Sequence, residues 1–297
     1  MASLDVVICT RNRPLELAAC VRSVAVQSES PDAVIVVDSS DEPQRLPDVG
    51  LPVQCVPSGA GLPRQRNVAL GHVTADLVTF LDDDVELEPD YVATVKQWFD
   101  FTEHCVGASG SITNDPRRPA LSRAFRWLFN MANDDGVLRP SGDVAYLRHP
   151  RAATRVDVIA GANMTFRRRA LDGIRFREDL GRYAYMEDAD VALRMRNVGT
   201  LWMLPGARLV HHISPTARLP RREFVAEVLR NSTLLFVAHR DEHNLSLFHF
   251  RRRMLGRAMA YTALALRAGS LWPLLGVRDG LRTSRRVLRT VPERSRE

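Results

Sequence analysis

The stretch Leu77-Val78-Thr79-Phe80-Leu81-Asp82-Asp83-Asp84 places three consecutive carboxylates directly after five mostly apolar residues. A short apolar run of this kind predicts a buried β-strand, so the aspartates stand at its carboxyl end. Adjacent carboxylates repel one another unless they are solvated or hold a cation, and Mg²⁺ and Mn²⁺ prefer oxygen ligands. An acidic turn in solvent is the alternative interpretation, but the preceding strand favours a metal site.

Strand-like and helix-like segments alternate around this stretch. The predicted strands are 4–9, 33–37, 53–56, 77–81, 106–112, 161–166, 201–204 and 208–210, and predicted helices begin at Pro14, Leu62, Pro89 and Glu187. Such alternation predicts an α/β fold with a mainly parallel sheet flanked by helices. Ligands bind these sheets at the carboxyl ends of the strands. The segment Thr10-Arg11-Asn12 and Asp38 also follow predicted strands, so we expect them on the same rim as the aspartates.

Two regions depart from this alternation. Residues 114–155 are rich in Arg, Pro, Asp and Asn, so we predict a loop-rich insertion with one short helix near 121–131. After Pro220 the pattern is helical. We therefore predict a catalytic domain over 1–219, in which the insertion is the candidate acceptor region, and a basic helical C-terminal extension over 220–297.

Composition and charge limit the classes of function. The 297 residues are 45% hydrophobic and 26% charged, which is typical of a globular protein and not of a disordered or fibrous one. The net charge is +6, and its excess lies in the arginine-rich C-terminal part. No nucleic-acid-binding motif accompanies it, so nucleic acid is not an expected partner. The chain shows no secretory leader and no uninterrupted membrane-spanning stretch, which predicts a cytoplasmic protein.

The basic C-terminal part has two interpretations. Arg251, Arg252 and Arg253 interleave with apolar and aromatic residues such as Tyr261 and Trp272. This mixture suits an amphipathic helix lying on the inner face of a membrane, beside a lipid-linked acceptor. A helical cap that packs on the catalytic domain, with its arginines in water, is an equally weighted alternative.

Three further clusters are candidates for chemistry. A helix begins after Gly61 and carries arginines, which favours anion binding at its N-terminus, although a plain surface helix has the same pattern. The acidic segment 187–190 enters a helix; it can supply a general base or can simply complement the helix dipole. His211 and His212 follow a predicted strand, where one of them is either a metal ligand or a structural histidine.

Taken in order, these motifs resemble those of family 2 glycosyltransferases, which have the GT-A fold. The family combines T-R-N-R, a strand followed by Asp, G-x-x-x-x-R-N, a DxD-type DDD, an E-D-x-D helix and a late histidine. The resemblance covers about 4–214 and departs at Ala69, where the family often has glycine. It implies inverting transfer of a hexosyl or deoxyhexosyl unit from a UDP-, dTDP- or GDP-sugar. The acceptor would be a glycan, lipid-linked or small-molecule hydroxyl, in cell-wall or polysaccharide biosynthesis, with Mn²⁺ or Mg²⁺ as cofactor.

The resemblance also implies a role for each matching residue. Asp188 is implied as the general base, with Glu187 supporting it. The implied donor-nucleotide residues are Thr10, Arg11, Asn12, Arg13, Asp38, Gly61, Arg64, Arg66, Asn67, Asp82 and Asp83. The implied metal ligands are Asp84, Asp82 and His211. Acceptor or supporting roles are assigned to Asp190, Gly161, Asn163 and His212.

Two other functions are consistent with parts of this pattern. A sugar-nucleotide pyrophosphorylase has a similar fold, but it usually opens with a Gly-rich loop bearing Arg and Lys, where this chain has residues 10–13 as Thr-Arg-Asn-Arg. A non-catalytic sugar-nucleotide-binding partner of a membrane glycan assembly is the second alternative. Intact Asp84, Asp188 and His211 argue against it.

Overall fold

The computed structural model describes residues 2–181, 184–214 and 219–290, and the chain forms two compact units. The first unit comprises Met1–Pro116, Tyr146–Arg182 and Glu187–Ala217, and the second comprises Arg117–Ala145, Tyr183–Met186 and Arg218–Glu297. Most of the predicted insertion therefore belongs to the same unit as the C-terminal helices. The catalytic domain ending at residue 219 stays a prediction.

Nine strands and eight α-helices lie within the described ranges. The strands are β1 (Leu4–Thr10), β2 (Ala33–Asp38), β3 (Val53–Pro57), β4 (Leu77–Asp82), β5 (Val85–Leu87), β6 (Cys105–Ile112), β7 (Thr154–Val156), β8 (Asn163–Arg167) and β9 (Thr200–His211). The helices are α1 (Pro14–Ala25), α2 (Leu62–Leu70), α3 (Tyr91–Phe101), α4 (Ala120–Leu128), α5 (Glu187–Met195), α6 (Arg221–His239), α7 (Leu247–Ala268) and α8 (Trp272–Thr290). Two short 3₁₀ helices span Arg168–Leu171 and Glu178–Leu180.

One sheet in the first unit positions the candidate site. Its order is β3-β2-β1-β4-β8-β6-β9-β5, with β7 also paired to β9. The four strands from β3 to β4 are parallel, whereas β8, β5 and β7 run antiparallel to their neighbours. Every residue of β1 is buried, as expected for a strand covered on both faces. The predicted α/β fold with a sheet between helices is confirmed.

The strand register brings the predicted polar groups to one edge. Thr10 pairs with Asp38 across β1 and β2, and Cys9 pairs with Asp82 across β1 and β4. These residues lie at the carboxyl ends of three adjacent parallel strands. The prediction that they share a rim is therefore confirmed by the pairing.

The last strand of the sheet differs from its prediction. β9 is one strand, where two short strands were predicted around Pro205 and Gly206. The pairing of β9 with β6 shifts between Gly110 and Ser111, so that residues 205–207 bulge out of the ladder while the strand continues. A Cβ at Gly110 would lie 2.2 Å from the carbonyl oxygen of Ala207, so only glycine admits this bulge. The three-residue strands β5 and β7 were not predicted, because they are too short to show a period.

The second unit is a helical body with a buried charge cluster. Apolar side chains of α6, α7 and α8 form its core. Asp143 is buried and its Oδ1 lies 2.7 Å from Arg257 Nη2 and 3.4 Å from Arg253 Nη1. Burial alone would raise the pKa of Asp143, but Arg257 and Arg253 outweigh it and hold that pKa below its usual value. Residues about 110 positions apart in sequence are thereby joined within this unit. Among the described residues no helix is both long and apolar enough to span a bilayer.

Replacing Asp143 by asparagine tests this cluster. Asp143→Asn leaves Arg253 and Arg257 buried without their counter-charge, so we expect a loss of about 3–5 kcal/mol in the free energy of unfolding. Urea denaturation followed by circular dichroism measures it. Asp279→Asn is the matched control, since Asp279 pairs with Arg222 at the surface of the same unit, and it should cost far less. Equal losses in the two variants would contradict the assignment.

Candidate functional site

Asp84 is held next to His211 by strand pairing. β5 runs antiparallel to β9 and places Val85 opposite His211. His211 Nε2 lies 3.1 Å from Asp84 Oδ1, and the backbone N–H of Ser214 donates to Asp84 Oδ2 at 2.8 Å. His212 lies on the other side of the strand, where its Nε2 is 2.9 Å from Glu86 Oε1 in an exposed pair. Of the two adjacent histidines, His211 is the one that meets the aspartates.

Asp82, Asp84 and His211 form a cluster that can hold a cation. One ligand atom from each lies within 4.8 Å of the other two. Burial lowers the pKa of His211, but the hydrogen bond to Asp84 and the charge of Asp82 outweigh burial and raise it above its usual value. Two carboxylates with one imidazole fit a divalent ion of the Mn²⁺ or Mg²⁺ type.

Asp83 makes different contacts from Asp82 and Asp84. Its carboxylate accepts hydrogen bonds from Thr10 Oγ1 at 2.7 Å and from Arg13 Nη1 at 2.8 Å. Burial raises the pKa of Asp83 to about 6, and Arg13 and Thr10 only partly offset this effect. Asp83 thus ties the segment after β1 to the end of β4.

The loop after β2 completes this part of the rim. Asn12 Nδ2 donates to Asp41 Oδ2 at 2.8 Å, and Arg11 Nη2 lies 3.4 Å from the other oxygen of Asp41. The carboxylate of Asp38 accepts backbone hydrogen bonds from Ser40 and Gln44, each at 2.8 Å. The sequence did not predict Asp41 as a site residue, because no motif surrounds it.

Arg66 is a deeply buried charge of the site, with 1% of its surface exposed. Its guanidinium pairs with Glu187, lies 3.3 Å from Asp82 Oδ1 and donates to the carbonyl oxygen of Gly161 at 3.0 Å. It also lies over the ring of Phe80, 5.9 Å from its centroid. Arg66 therefore links α2 to β4, to α5 and to the segment before β8.

Gly61, Arg64 and Gln65 lie at the start of α2 and make different contacts. Gly61 precedes the helix with φ of +137°, a conformation that favours glycine. Arg64 is exposed, and its guanidinium lies against Gly59. Gln65 was missed from the sequence, yet its buried Nε2 donates to the carbonyl oxygens of Thr10 and Val37 at 2.9 and 2.8 Å. It fixes the ends of β1 and β2 beside each other.

Asp188 is a half-buried carboxylate at the start of α5. Its Oδ1 accepts the backbone N–H of Ala189 at 2.8 Å. A Cβ at Gly161 would lie 2.8 Å from Asp188 Oδ2, so glycine is needed for this close approach. Burial raises the pKa of Asp188, and the Ala189 hydrogen bond and Arg66 only partly offset it. A carboxylate with a raised pKa is suited to accept a proton.

Three predicted site residues are engaged within the fold. Asn67 bonds the backbone of Phe176 through both its side-chain oxygen and its nitrogen. Asp190 pairs with Arg194 at 2.6 Å. Asn163 is fully buried and accepts a hydrogen bond from Tyr91 at 3.2 Å. Their predicted nucleotide and acceptor roles stay predictions.

The sequence that carries the acidic strand end and Arg66 matches a known family model. A family model described as "Glycosyl transferase family 2" covers residues 5–174. The chain belongs to glycosyl transferase family 2. One curated relative in this comparison is the glucosyl-dolichyl phosphate glucuronosyltransferase of Haloferax volcanii, which is 30% identical over 139 residues. The aligned part covers 42% of this chain and 44% of that relative.

Solved structures share the fold of this family 2 member. The mannosyltransferase PcManGT of Pyrobaculum calidifontis, in complex with GDP-Man and Mn²⁺, has a TM-score of 0.59 at 15% identity, covering 95% of this chain and 87% of that one. Residues 1–349 of S. aureus TarS, in complex with UDP-GlcNAc, have a TM-score of 0.52 at 16% identity, covering 97% and 91%. GalNAc-T7 with UDP, GalNAc and Mn²⁺ scores 0.56 at 14% identity, covering 91% and 59%.

A double-mutant cycle tests the bridge between Arg66 and Glu187. Each of Arg66→Met and Glu187→Gln removes one partner of a buried pair, so we expect each to cost about 3–5 kcal/mol in unfolding free energy. The double variant should cost less than the sum, with a coupling of about 1–3 kcal/mol. The exposed pair Arg208 and Glu88 is the control and should show a coupling below about 1 kcal/mol. Additive costs at the buried pair would refute the bridge.

Proposed function

We propose that this protein transfers a sugar from a nucleoside-diphosphate sugar to an acceptor hydroxyl and inverts the anomeric carbon. One observation carries the proposal: Arg66 contacts both Asp82, in the candidate cation cluster, and Glu187, which directly precedes Asp188. The guanidinium of Arg66 would therefore hold the proposed diphosphate site close to the proposed proton-accepting carboxylate. Membership of glycosyl transferase family 2 supports this chemistry.

A divalent ion, Mn²⁺ or Mg²⁺, belongs to this proposal. Asp84, Asp82 and His211 would hold it, because their ligand atoms already lie within 4.8 Å of one another. Such an ion neutralises the charge that builds on a diphosphate leaving group. The two solved relatives described with Mn²⁺ support the assignment.

The proton of the acceptor hydroxyl goes to Asp188. As that proton leaves, the acceptor oxygen attacks the anomeric carbon from the face opposite the diphosphate, and the bond from that carbon to the diphosphate oxygen breaks. A single displacement of this kind inverts the carbon and needs no covalent sugar–enzyme intermediate. Glu187 supports the base by keeping Arg66 in place. Its Oε2 is buried and has no hydrogen-bond partner among the described residues, so a substrate hydroxyl could satisfy it.

The donor nucleotide would lie along the carboxyl ends of β1, β2 and β4. Thr10 and Arg13 are fixed there by Asp83, and Arg11 and Asn12 are fixed by Asp41. Arg64 and the N-terminus of α2 supply positive potential for the phosphates. Solved relatives are described with GDP-Man and with UDP-GlcNAc, so both nucleotides belong in the donor test.

The acceptor is proposed to be lipid-linked and reached at an anionic membrane surface. Four of the five exposed large apolar side chains of α7, Phe248, Leu255, Met259 and Leu266, are 69%, 57%, 48% and 81% exposed. Their spacing puts them within about 20° of one line along the helix. Arg251 and Arg252 stand beside this stripe, a combination suited to an interfacial helix. The name of the Haloferax volcanii relative includes a dolichyl phosphate, which supports a lipid-linked acceptor.

Substituting Asp188 tests the transfer. We expect Asp188→Asn to lower kcat by about 10²–10⁴-fold, because the general base is lost, while nucleotide affinity is unchanged. Nucleoside diphosphate release from UDP-, dTDP- and GDP-sugars, with and without chelator, measures turnover, and calorimetry measures binding. Unchanged turnover would remove Asp188 as the base. Nucleotide binding without turnover, with every acceptor class offered, would favour the non-catalytic partner, and formation of a nucleoside triphosphate from pyrophosphate would favour the pyrophosphorylase.

The same base predicts the pH dependence. Because burial raises the pKa of Asp188, kcat/KM should fall on acidification at a pH above the usual aspartate pKa of about 3.9. Below the raised pKa the carboxyl is protonated and cannot accept the acceptor's proton. A pH profile of kcat/KM measures this limb, and a limb at or below the usual value would contradict the assignment.

Mn²⁺ affinity distinguishes the adjacent histidines. His211→Ala should weaken Mn²⁺ binding by at least about tenfold, because it removes a ligand, whereas His212→Ala should leave it unchanged. Electron paramagnetic resonance of free Mn²⁺ measures both variants. If His212→Ala weakened binding more than His211→Ala, the proposed ligand set would be wrong.

Vesicle sedimentation tests the α7 stripe. The double variant Leu255→Glu/Met259→Glu should lose binding to anionic vesicles, because it puts charge where apolar side chains meet the lipid. Phe101→Glu, at an apolar side chain of α3 that is 82% exposed, is the control and should bind as the parent does. Binding of the parent should weaken with salt, since Arg251 and Arg252 contribute through charge. Equal binding by both variants would show that the stripe does not meet lipid.

A further inference from the structure

A second group of ligand-type side chains lies at the end of α6, within the second unit. α6 ends at His239, but the backbone N–H of His243 donates to the carbonyl oxygen of His239 at 3.1 Å. The helical path therefore continues for one more turn, and residues four apart share a face. The two imidazole rings stack, with centroids 5.6 Å apart and 29° between their planes.

Both rings turn a nitrogen toward the same carboxylate oxygen. His239 Nδ1 lies 3.7 Å from Glu242 Oε2, and His243 Nε2 lies 3.8 Å from that atom. All three atoms lie within 4.8 Å of one another. In a tetrahedral zinc site with ligand bonds of about 2.0–2.2 Å, neighbouring ligand atoms are roughly 3.4 Å apart. Shifts of about 1 Å or less would close the three atoms around an ion.

We propose that His239, Glu242 and His243 form a binding site for a divalent transition-metal ion of the zinc class. Two imidazoles and one carboxylate suit such an ion better than Mg²⁺, which prefers oxygen ligands. Three protein ligands leave a fourth position for water or another group. His239 is buried, whereas 43% of the Glu242 side chain is exposed, so the ion can enter from solvent on the carboxylate side.

Binding at this site ties the end of α6 to the turn that follows it. The ion would fix the backbone of 239–243, which carries the three ligands and precedes α7. The site shares no residue with the cluster of Asp82, Asp84 and His211. It therefore stands independently of the proposed sugar transfer.

Metal titration of the full chain tests the site. The background variant is His211→Ala, which weakens the other cluster, and the protein is first stripped with a chelator. We expect one equivalent of Zn²⁺ to bind in competition with a chromophoric chelator, and Co²⁺ to give the visible absorption of a tetrahedral site. Zn²⁺ should also raise the thermal midpoint, because it binds the folded state.

Two conservative variants locate the ion. Glu242→Gln and His243→Gln should each weaken Zn²⁺ binding by at least about tenfold, since loss of a ligand costs no less than loss of its supporting partner. Glu242→Gln replaces a partly exposed side chain and should keep the fold, which circular dichroism checks. His104→Gln, at an exposed histidine of the first unit, should bind as the background protein does. Undiminished Zn²⁺ affinity in Glu242→Gln and His243→Gln, or no Zn²⁺ uptake by the background protein, would overturn the proposal.

Discussion

The burial of one guanidinium constrains the candidate site. A fully buried charge is costly unless it is paired and hydrogen-bonded, and Arg66 meets that demand with Glu187, Asp82 and the carbonyl oxygen of Gly161. Each partner comes from a different part of the first unit, so satisfying Arg66 fixes α2, the end of β4 and the start of α5 together. The same charge moderates the pKa of Asp82 and of Asp188, which burial alone would raise further.

Strand ends made much of this rim predictable from the sequence. The aspartates at 82–84, Thr10 and Asp38 follow apolar runs that are strands in the structure, and parallel pairing brings their ends to one edge. Gln65 escaped prediction because its contribution is a pair of bonds to backbone carbonyls, which leave no pattern in sequence. The choice between His211 and His212 depends on the pairing of β5 with β9, and a three-residue strand gives no periodic signal.

In the second unit, local sequence patterns predict the helices but not the contacts between distant segments. Residues 114–155 were predicted as a loop-rich insertion within the first domain, and the helix predicted near 121–131 appears as α4. The position of 117–145 with the C-terminal helices depends on Asp143 meeting Arg253 and Arg257. A contact across more than 100 residues cannot be inferred from hydrophobic period or turn chemistry. The family resemblance gave no help there, because residues 114–155 match none of its motifs and it ends before the C-terminal helices begin.

The bulge in β9 affects how this site tolerates insertions and deletions. Successive side chains of a strand alternate between faces, so a one-residue slip in 208–211 would exchange the two imidazoles and turn His212 toward Asp84. Residues 205–207 lie outside the ladder, but they are packed in place, because Ala207 is fully buried and its carbonyl oxygen lies against Gly110. An insertion or deletion at 205–207 would have to preserve this packing to keep His211, and not His212, facing the carboxylates.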